Sequence, residues 1–357
     1  MVKWETIGSL IKRKRIKAKS LKESSPVYAV TNTEGFVLSS SLHDFTIHSE
    51  DTSNYLVVNK NDFAYNPSRL NIGSISYFNK EGNGLISPMY VVFHADESIV
   101  NPEYLYLVIK SEGIRNKIDA LKEVGARFRF DFSRWDLINI PIPSLEEQSR
   151  IVDTLNTFKD SIENLKKQIA QRKKQYEFYR DQLLALEGKE GVDMKALGSV
   201  SIRISSGKNK SKSKEGKYPV FGSTGIIAFS NSFFYDTPMI LVARVGANAG
   251  FVHLSYGKYD VTDNTLIIEL NEEVDQKYIY YNLVKENINQ YAKGGGQPLI
   301  TATILKSIIV PVPPLSEQQR IVSLLDTFEA SISNLEAQLE HRQKQYEYYR
   351  NKLLTFE

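Results

Sequence analysis

One short segment of this 357-residue chain begins like a catalytic motif. Asn66-Pro67-Ser68-Arg69 starts like the Asn-Pro-Pro-aromatic motif of amino-methyltransferases, but it lacks the second proline and the aromatic ring that would stack on a flipped base. The sequence has no Walker-type phosphate loop, no Gly-x-Ser-x-Gly elbow and no cysteine. Its five histidines do not have the spacing of metal ligands. The residues therefore indicate a binding protein, with no catalytic and no metal site in this chain.

Lysine and arginine are concentrated in two short segments, although the net charge of the whole chain is only +3. Residues 1–22 hold eight basic residues and one acid, and residues 203–217 hold six basic residues and one acid. Each segment includes or follows a Gly-Ser pair, Gly8-Ser9 or Gly198-Ser199. One such run would more often be a solvated loop, whereas two at corresponding places favour a surface that faces a polyanion.

The chain contains an internal repeat. Residues 141–184 and 311–354 align without a gap and share 25 of 44 residues. The repeat divides the chain into a block at 1–140 with a tail at 141–188, and a block at 189–310 with a tail at 311–357. In both tails apolar residues recur at steps of four and three over five heptads, which predicts coiled-coil helices. The predicted interface stripe comprises Ile151, Leu155, Phe158, Ile162, Leu165, Ile169, Arg172 and Tyr176, and then Ile321, Leu325, Phe328, Ile332, Leu335, Leu339, Arg342 and Tyr346.

Such a stripe must be buried, and two tails in one chain can pair with each other. Antiparallel pairing would place one block at each end, and a homodimeric coiled coil is the alternative. Arg172 and Arg342 interrupt the stripe at equivalent positions, which favours a polar register contact. Short apolar strands separated by glycine and asparagine turns fill the blocks. We therefore expect an α+β protein, in which two globular α/β domains are separated by two long antiparallel coiled-coil helices with pseudo-twofold symmetry.

Three features bear on where the protein works. The first residues, Met1-Val2-Lys3-Trp4-Glu5, lack the apolar core of a signal peptide. No run of 18 apolar residues would form a membrane-spanning helix. The lack of cysteine fits a reducing compartment. We therefore expect a cytoplasmic protein.

The whole chain resembles the specificity subunits of type I restriction–modification systems. The repeated Pro-x-Pro-x-Leu-x-Glu-Gln segment that opens each tail carries the resemblance, together with five segments of the second block and its exit: 218–225, 244–250, 262–264, 294–300 and 308–320. The first block departs from these motifs and looks like another class of recognition domain. Its own marks are residues 65–69, 72–75, 84–90 and 127–129.

The resemblance implies a DNA-binding subunit of a restriction system that reads a bipartite target. Target-recognition domains at 1–140 and 189–310 would each read one half-site, and conserved helical spacers at 141–188 and 311–357 would hold them apart. The subunit would not be an enzyme by itself. It would dock adenine-N6 methyltransferase subunits, two in this family, and a motor and nuclease subunit where one is present. S-adenosylmethionine, ATP and Mg²⁺ would be held by those partners, with no cofactor in this chain. The alternative is a coiled-coil scaffold that binds proteins or polyanions without DNA sequence preference.

Two kinds of residue are expected to contact double-stranded DNA, because phosphate contacts position a protein whereas base contacts specify the sequence. Side chains suited to base edges are arginines and amides on ordered loops. For Asn248 and Asn264, a turn residue that satisfies its own backbone is a nearly equal alternative. Gly246 and Gly250 are expected to serve backbone geometry. The predicted phosphate contacts are Lys12, Arg13, Lys14, Lys208, Lys210 and Lys212, and the predicted base contacts are Asn66, Arg69, Arg127, Arg129, Arg244, Asn248, Asn264 and Gln297.

Overall fold

The computed structural model of the chain describes residues 2–21, 25–41, 51–121, 128–211, 213–294, 296 and 298–356. The chain forms two compact units. Unit 1 comprises Met1–Asn164 and Gln338–Glu357, and unit 2 comprises Leu165–Ala337. Each unit holds one block and part of each tail. The domain boundaries at residues 140, 188 and 310 stay a prediction.

Unit 1 is built on two four-stranded sheets, in the orders β2-β9-β6-β7 and β4-β3-β8-β5, and a two-stranded ribbon, β1-β10. The last part of its long helix, α3, belongs to unit 2. The elements are β1 (Lys3–Thr6), β2 (Ile11–Lys14), β3 (Val27–Thr31), β4 (Gly35–Leu38), β5 (Leu56–Val58), β6 (Phe63–Tyr65), β7 (Ile75–Tyr77), β8 (Gly84–Ile86), β9 (Val91–Ala95), α1 (Pro102–Ile109), α2 (Glu112–Ala120), β10 (Asn139–Ile142) and α3 (Leu145–Leu183).

Unit 2 repeats this plan with a smaller second sheet. Its sheets have the orders β12-β18-β15-β16 and β14-β13-β17, beside the ribbon β11-β19. The elements are β11 (Asp193–Ala196), β12 (Ser201–Ser206), β13 (Tyr218–Gly222), β14 (Gly225–Ser230), β15 (Met239–Ala243), β16 (Val252–Ser255), β17 (Asp260–Val261), β18 (Thr265–Leu270), α4 (Gln276–Glu286), α5 (Ala302–Ser307), β19 (Ile309–Val312) and α6 (Leu315–Thr355). We call β2-β9-β6-β7 and β12-β18-β15-β16 the main sheets of unit 1 and unit 2. In each main sheet the strand that comes first in the chain pairs with the strand that comes last, so the two blocks share one topology although their motifs differ.

Each main sheet is buried on both faces, because its side chains alternate between two apolar layers. In unit 1, Ala64 and Val92 pack with Phe36 of the second sheet and with Phe78, which directly follows β7. Phe63 and Phe93, on the opposite face, belong to the larger core that includes α1 and the long helices. Edge-to-face packing of Phe36 on Phe78, with centroids 5.2 Å apart, stabilises the first layer.

The two long helices pair inside each unit. In unit 1 the rings of Phe158 on α3 and Tyr349 on α6 stack with centroids 5.3 Å apart. In unit 2, Tyr179 and Phe328 stack at 5.4 Å, and Lys173 Nζ lies 2.8 Å from a Glu336 carboxylate oxygen. The residue numbers of these contacts increase along α3 while those of their partners on α6 decrease, so the two helices pair antiparallel. This confirms the predicted α+β class with long paired helices, formed within one chain.

Every residue of the predicted stripe lies at least half-buried. Arg342 places its guanidinium 5.6 Å from the centre of the Phe158 ring and donates from Nη1 to Gln345 Oε1 at 3.0 Å. The fully buried members are Ile151, Leu155, Leu165, Ile169, Ile321 and Leu325; the half-buried ones are Phe158, Ile162, Arg172, Tyr176, Phe328, Ile332, Leu335, Leu339, Arg342 and Tyr346. Within the described part of the chain no helix is long and apolar enough to cross a bilayer.

One buried glutamine attaches each long helix to its block. Gln148 Nε2 donates to the carbonyls of Ile99 (3.0 Å) and Pro143 (2.9 Å), and its Oε1 accepts from the Asn101 amide at 2.7 Å. Gln148 and Gln318 are both 0% exposed. We call these two residues the glutamine joints.

Gln318 makes the same three bonds in unit 2. Its Nε2 donates to the carbonyls of Glu273 (3.2 Å) and Pro313 (2.9 Å), and its Oε1 accepts from the Asp275 amide at 2.7 Å. The Asp275 side chain also caps α4 by accepting from two backbone amides, as an N-cap residue does. The joint therefore ties the start of the long helix to the start of the short helix that packs on it.

Candidate nucleic-acid interface

Segments 218–225, 244–250 and 262–264 of unit 2, which carry the family resemblance, meet residues 298–300 at one edge of its main sheet. Strands β12 and β15 both pair antiparallel with β18, with Ser206 opposite Leu266 and Leu266 opposite Val242. The ends of β12 and β15 therefore lie beside the start of β18. The Ser223 hydroxyl, just beyond β13, donates to the Asn264 carbonyl at 3.1 Å. We call this edge, with the loops 207–211, 244–251 and 262–264, the unit 2 edge.

Arg244 lies at the centre of the unit 2 edge. Its backbone amide donates to the Asn264 carbonyl at 2.9 Å, and its carbonyl accepts from the Ile300 amide at 2.8 Å. The guanidinium Nη1 donates to the Asp263 carbonyl at 3.3 Å, and the side chain is half-buried. Three hydrogen bonds to backbone groups thus position Arg244. The other N–H groups of its guanidinium remain available to a ligand. A guanidinium group positioned in this way is suited to donate two hydrogen bonds to the O6 and N7 acceptors of guanine.

The loop that carries Asn248 has its shape fixed by glycine. Gly250 has a φ of +92°, and a Cβ there would meet the Asn289 backbone nitrogen at 2.4 Å. Asn289 Nδ2 donates in turn to the Ala249 carbonyl at 2.6 Å. Gly246 has a φ of +81°. Both glycines adopt the left-handed backbone that other residues rarely take, which agrees with the backbone role expected of them, and Asn248 is exposed on their loop.

The lysines of the unit 2 edge flank an anchored residue. Asn209 Nδ2 donates to Asp260 Oδ2 at 2.7 Å, and the backbone amide of Asn209 donates to the Val261 carbonyl at 2.9 Å. Lys208 and Lys210, on either side, are exposed. Exposed ammonium groups on a fixed loop suit phosphate contacts. Asn264 is also exposed at this edge, whereas Lys212 and Gln297 lie outside the described residues.

Replacing Lys210 with alanine should weaken binding to every duplex equally, because an ammonium group on a phosphate reads no base. The slope of log affinity against log salt concentration should fall by about one unit. Titrations at several salt concentrations, with the target duplex and a scrambled duplex of equal length, measure both effects. Lys306→Ala is the matched control, since Lys306 is exposed beside Gly198 at the other end of β12. A loss confined to the target duplex would contradict the assignment.

Unit 1 has an equivalent edge. Lys14 lies opposite Val92, and Val92 opposite Ala64, so the ends of β2 and β6 lie beside the start of β9. We call this edge, with the loop 66–74 between β6 and β7, the unit 1 edge. The Phe130 amide donates to the Pro67 carbonyl at 3.0 Å, which brings the exposed Arg129 to the same loop. Arg127 lies outside the described residues.

Two predicted base contacts of unit 1 differ in exposure. The Asn66 side chain is buried, and its Oδ1 accepts from the Ser68 amide at 2.9 Å. This is the local bond of an Asx turn, so the structure gives Asn66 a role in shaping the loop. Arg69 is exposed, and its carbonyl accepts from the Ser74 amide at 3.1 Å, which fixes the backbone from which its guanidinium extends.

The basic run at residues 12–14 is divided by strand alternation. Lys12, Arg13 and Lys14 lie on β2, so Arg13 points to the face opposite that of the two lysines. The Lys14 ammonium forms an ion pair with Asp62, a carboxylate that is almost completely buried, and Asp62 also lies 3.1 Å from His94 Nδ1. The Arg13 guanidinium lies 5.9 Å from the centre of the Phe132 ring. Lys12 is exposed. The three residues therefore do not form one continuous strip, and Lys14 also balances a buried charge.

Three further residues at these edges were not among the predicted contacts. Ile72 in the loop 66–74 is 52% exposed, and Phe251 directly after the Gly250 turn is 58% exposed. Lys293 is exposed and pairs with Leu299, which also pairs with Val245 beside Arg244. The sequence signal for Lys293 is a basic residue just before the glycine run at 294–296. The signal for the other two is a large apolar residue inside a turn segment.

Phe251 stands at the end of a row of rings. Its centroid is 6.0 Å from that of His253, and His253 is 5.2 Å from Phe221. Burial lowers the pKa of His253, so the imidazole is neutral at pH 7. Neither of its ring nitrogens has a hydrogen-bond partner among the described residues. The row gives Phe251 a firm apolar support.

Comparison with known proteins agrees with this arrangement. The chain matches the family described as the type I restriction modification DNA specificity domain over residues 1–173 and 189–342. It is 30% identical over 309 residues to the EcoR124I/EcoR124II specificity subunit of Escherichia coli, covering 76% of this chain and 74% of that protein. It is 29% identical over 211 residues to the EcoprrI specificity subunit of Escherichia coli, covering 55% of this chain and 51% of that protein.

A solved structure has the same fold. The S subunit of a type I restriction–modification system from M. genitalium superposes with a TM-score of 0.63 at 18% identity, covering 100% of this chain and 97% of that one. At this identity the likeness concerns the fold alone. The family match spans both blocks and most of both tails. This chain therefore belongs to the family of type I restriction–modification specificity subunits, which are the non-catalytic subunits of larger complexes.

Proposed function

We propose that this chain reads a bipartite DNA target, with the unit 1 edge on one half-site and the unit 2 edge on the other. The observation that carries the proposal is the same in both units. In unit 1, Lys12, Arg13 and Lys14 lie on the first strand of the main sheet, β2, whose end adjoins the loop of Arg69. In unit 2, Lys208 and Lys210 lie just beyond the end of the first strand, β12, which adjoins the loop of Arg244. Phosphate-binding and base-reading groups are needed side by side in a sequence-specific interface.

The proposed partners follow from the family. Two adenine-N6 methyltransferase subunits would bind S-adenosylmethionine and modify the target, and a motor and nuclease subunit with ATP and Mg²⁺ would join where the system restricts DNA. The complex would act in the cytoplasm. Two equal docking sites are supported by exposed rings at equivalent places of the repeat, Phe178 at 58% and Tyr348 at 59% exposure. Aromatic residues are enriched in protein–protein interfaces relative to the rest of the surface.

Replacing Phe178 and Tyr348 with glutamate, singly and together, should remove one and then both methyltransferase subunits, because a carboxylate would have to be desolvated in the interface. Native mass spectrometry of the co-expressed complex measures the stoichiometry. Glu177→Gln and Glu347→Gln are the matched controls, since these exposed neighbours occupy equivalent positions of the two helices. Retention of both copies by the double variant would place the docking sites elsewhere.

The proposed function is tested by sequencing methylated adenines in a host that carries this subunit and its partners. We expect one bipartite motif with a spacer of fixed length, and loss of that motif when this gene is removed. The scaffold alternative predicts methylation that does not depend on this chain. Purified complex should also bind a duplex with the motif more tightly than a scrambled duplex at the same salt concentration.

A further inference from the structure

Both edges place a large apolar side chain in the same hairpin. The loop 66–74 joins β6 to β7, the loop 244–251 joins β15 to β16, and these strand pairs occupy the same two positions of the two main sheets. Ile72 in the first loop and Phe251 in the second are more than half exposed. Although the two loops have different sequences, each exposes an aliphatic or aromatic group next to predicted base contacts.

The loops hold these side chains in place. In unit 1 the Gly73 amide donates to the Leu70 carbonyl at 2.9 Å, and the Asn66 amide donates to the Ser74 carbonyl at 3.1 Å. The Lys110 ammonium also donates to the Gly73 carbonyl at 3.0 Å. In unit 2 the Phe251 amide donates to the Asn248 carbonyl at 2.8 Å, and the ring is supported by His253. These bonds fix the backbone from which Ile72 and Phe251 extend, so both side chains are presented at their edge.

The chemistry of the partner follows from the neighbours. At both edges the apolar group lies near basic residues and near an exposed arginine or asparagine, which suit phosphates and base edges. The apolar feature that a base edge offers in the major groove is the C5-methyl group of thymine. A contact with that methyl group distinguishes thymine without any hydrogen bond.

We propose that Ile72 and Phe251 are specificity-determining residues, each contacting the methyl group of one thymine in its own half-site. The inference rests on the proposed function, because it assigns the base that one residue of each edge reads. It adds an apolar component to a readout that the predicted contacts describe only through hydrogen bonds. Insertion of either side chain between base pairs is the competing possibility.

Replacement of single thymines by deoxyuridine tests the inference, since it removes the methyl group and keeps every hydrogen-bonding atom. The complex of this subunit with its methyltransferases is titrated against target duplexes in which each thymine is replaced in turn. We expect one position in each half-site where uracil lowers the affinity about fourfold, as the loss of one buried methyl group predicts. In Ile72→Ala that uracil effect should vanish in one half-site only, and in Phe251→Ala in the other only.

Leu38→Ala and Ile202→Ala are the matched controls. Both residues are exposed. Leu38 ends β4 opposite the start of β3, whereas Val30 near the end of β3 contacts Ser74 of the unit 1 edge. Ile202 lies near the start of β12, whose other end reaches the unit 2 edge. Both control variants should keep the uracil effect in both half-sites. Indifference to uracil at every position, or a uracil effect that persists in Ile72→Ala and Phe251→Ala, would overturn the inference and favour insertion. A complex without preference for the target duplex would overturn the proposed function as well.

Discussion

Replacing Gln318 with alanine should lower the free energy of unfolding by about 3–5 kcal/mol. The amide side chain satisfies the carbonyls of Glu273 and Pro313 and the amide of Asp275. Each buried backbone group that loses its partner costs about 1–3 kcal/mol, and the buried position leaves little access for water. Gln318→Glu should also destabilise, because a carboxylate cannot donate to the two carbonyls.

Gln319→Ala is the matched control for this change, because the neighbouring glutamine is exposed on the first turns of the same helix. It should alter the free energy of unfolding by no more than about 0.5 kcal/mol. Gln148→Ala should match Gln318→Ala, since its three bonds are equivalent. Denaturant titration followed by circular dichroism measures all four variants. Equal stability of Gln318→Ala and Gln319→Ala would show that the joint contributes nothing.

Replacing Arg244 with alanine should cost about 1–3 kcal/mol in affinity for the half-site read by unit 2. The guanidinium is preorganised by the Asp263 carbonyl and by the backbone bonds of Arg244 to Asn264 and Ile300. A guanidinium group that is already positioned loses little conformational entropy when it forms hydrogen bonds with a base edge. Arg244→Lys should lose nearly as much, because an ammonium keeps the charge but not the bidentate geometry.

Competition titrations with duplexes changed in one half-site at a time measure this loss. Arg203→Ala is the matched control: Arg203 is exposed, pairs with Glu269 on β18 at 3.4 Å, and lies nearer the opposite end of β12. It should leave the discrimination between half-sites unchanged. If Arg244→Ala weakens binding to target and random duplexes by the same factor, Arg244 contacts phosphate and reads no base.

The long helices and their pairing were predictable because a heptad repeat is a local signal. The positions of Leu155 and Leu325 follow from spacing alone, and both are fully buried. The shared topology of the two blocks was not predictable. The loop 66–74 has no sequence likeness to 244–251, and their equivalence arises from the pairing of β6 and β15 with strands far away in the chain.

The candidate sites were predicted by residue type, which does not give side-chain direction. Lys12, Arg13 and Lys14 form one run in the sequence, but alternation along β2 divides them between two faces. Asn66 carries an amide side chain, a type that can read bases, yet its hydrogen bond with the Ser68 backbone amide turns it inward. The glutamine joints were missed although Gln148 and Gln318 are identical in the repeat, because burial of a polar side chain depends on contacts about 45 residues away.

The glutamine joints bond only main-chain atoms of the blocks. Carbonyl and amide groups are the same in every residue type, so this attachment does not depend on which side chains a block carries at Ile99 or Glu273. Mutations that alter the bases a block prefers would therefore leave its connection to the long helix undisturbed. New targets could arise by drift in one block while the assembly that holds both blocks stays intact.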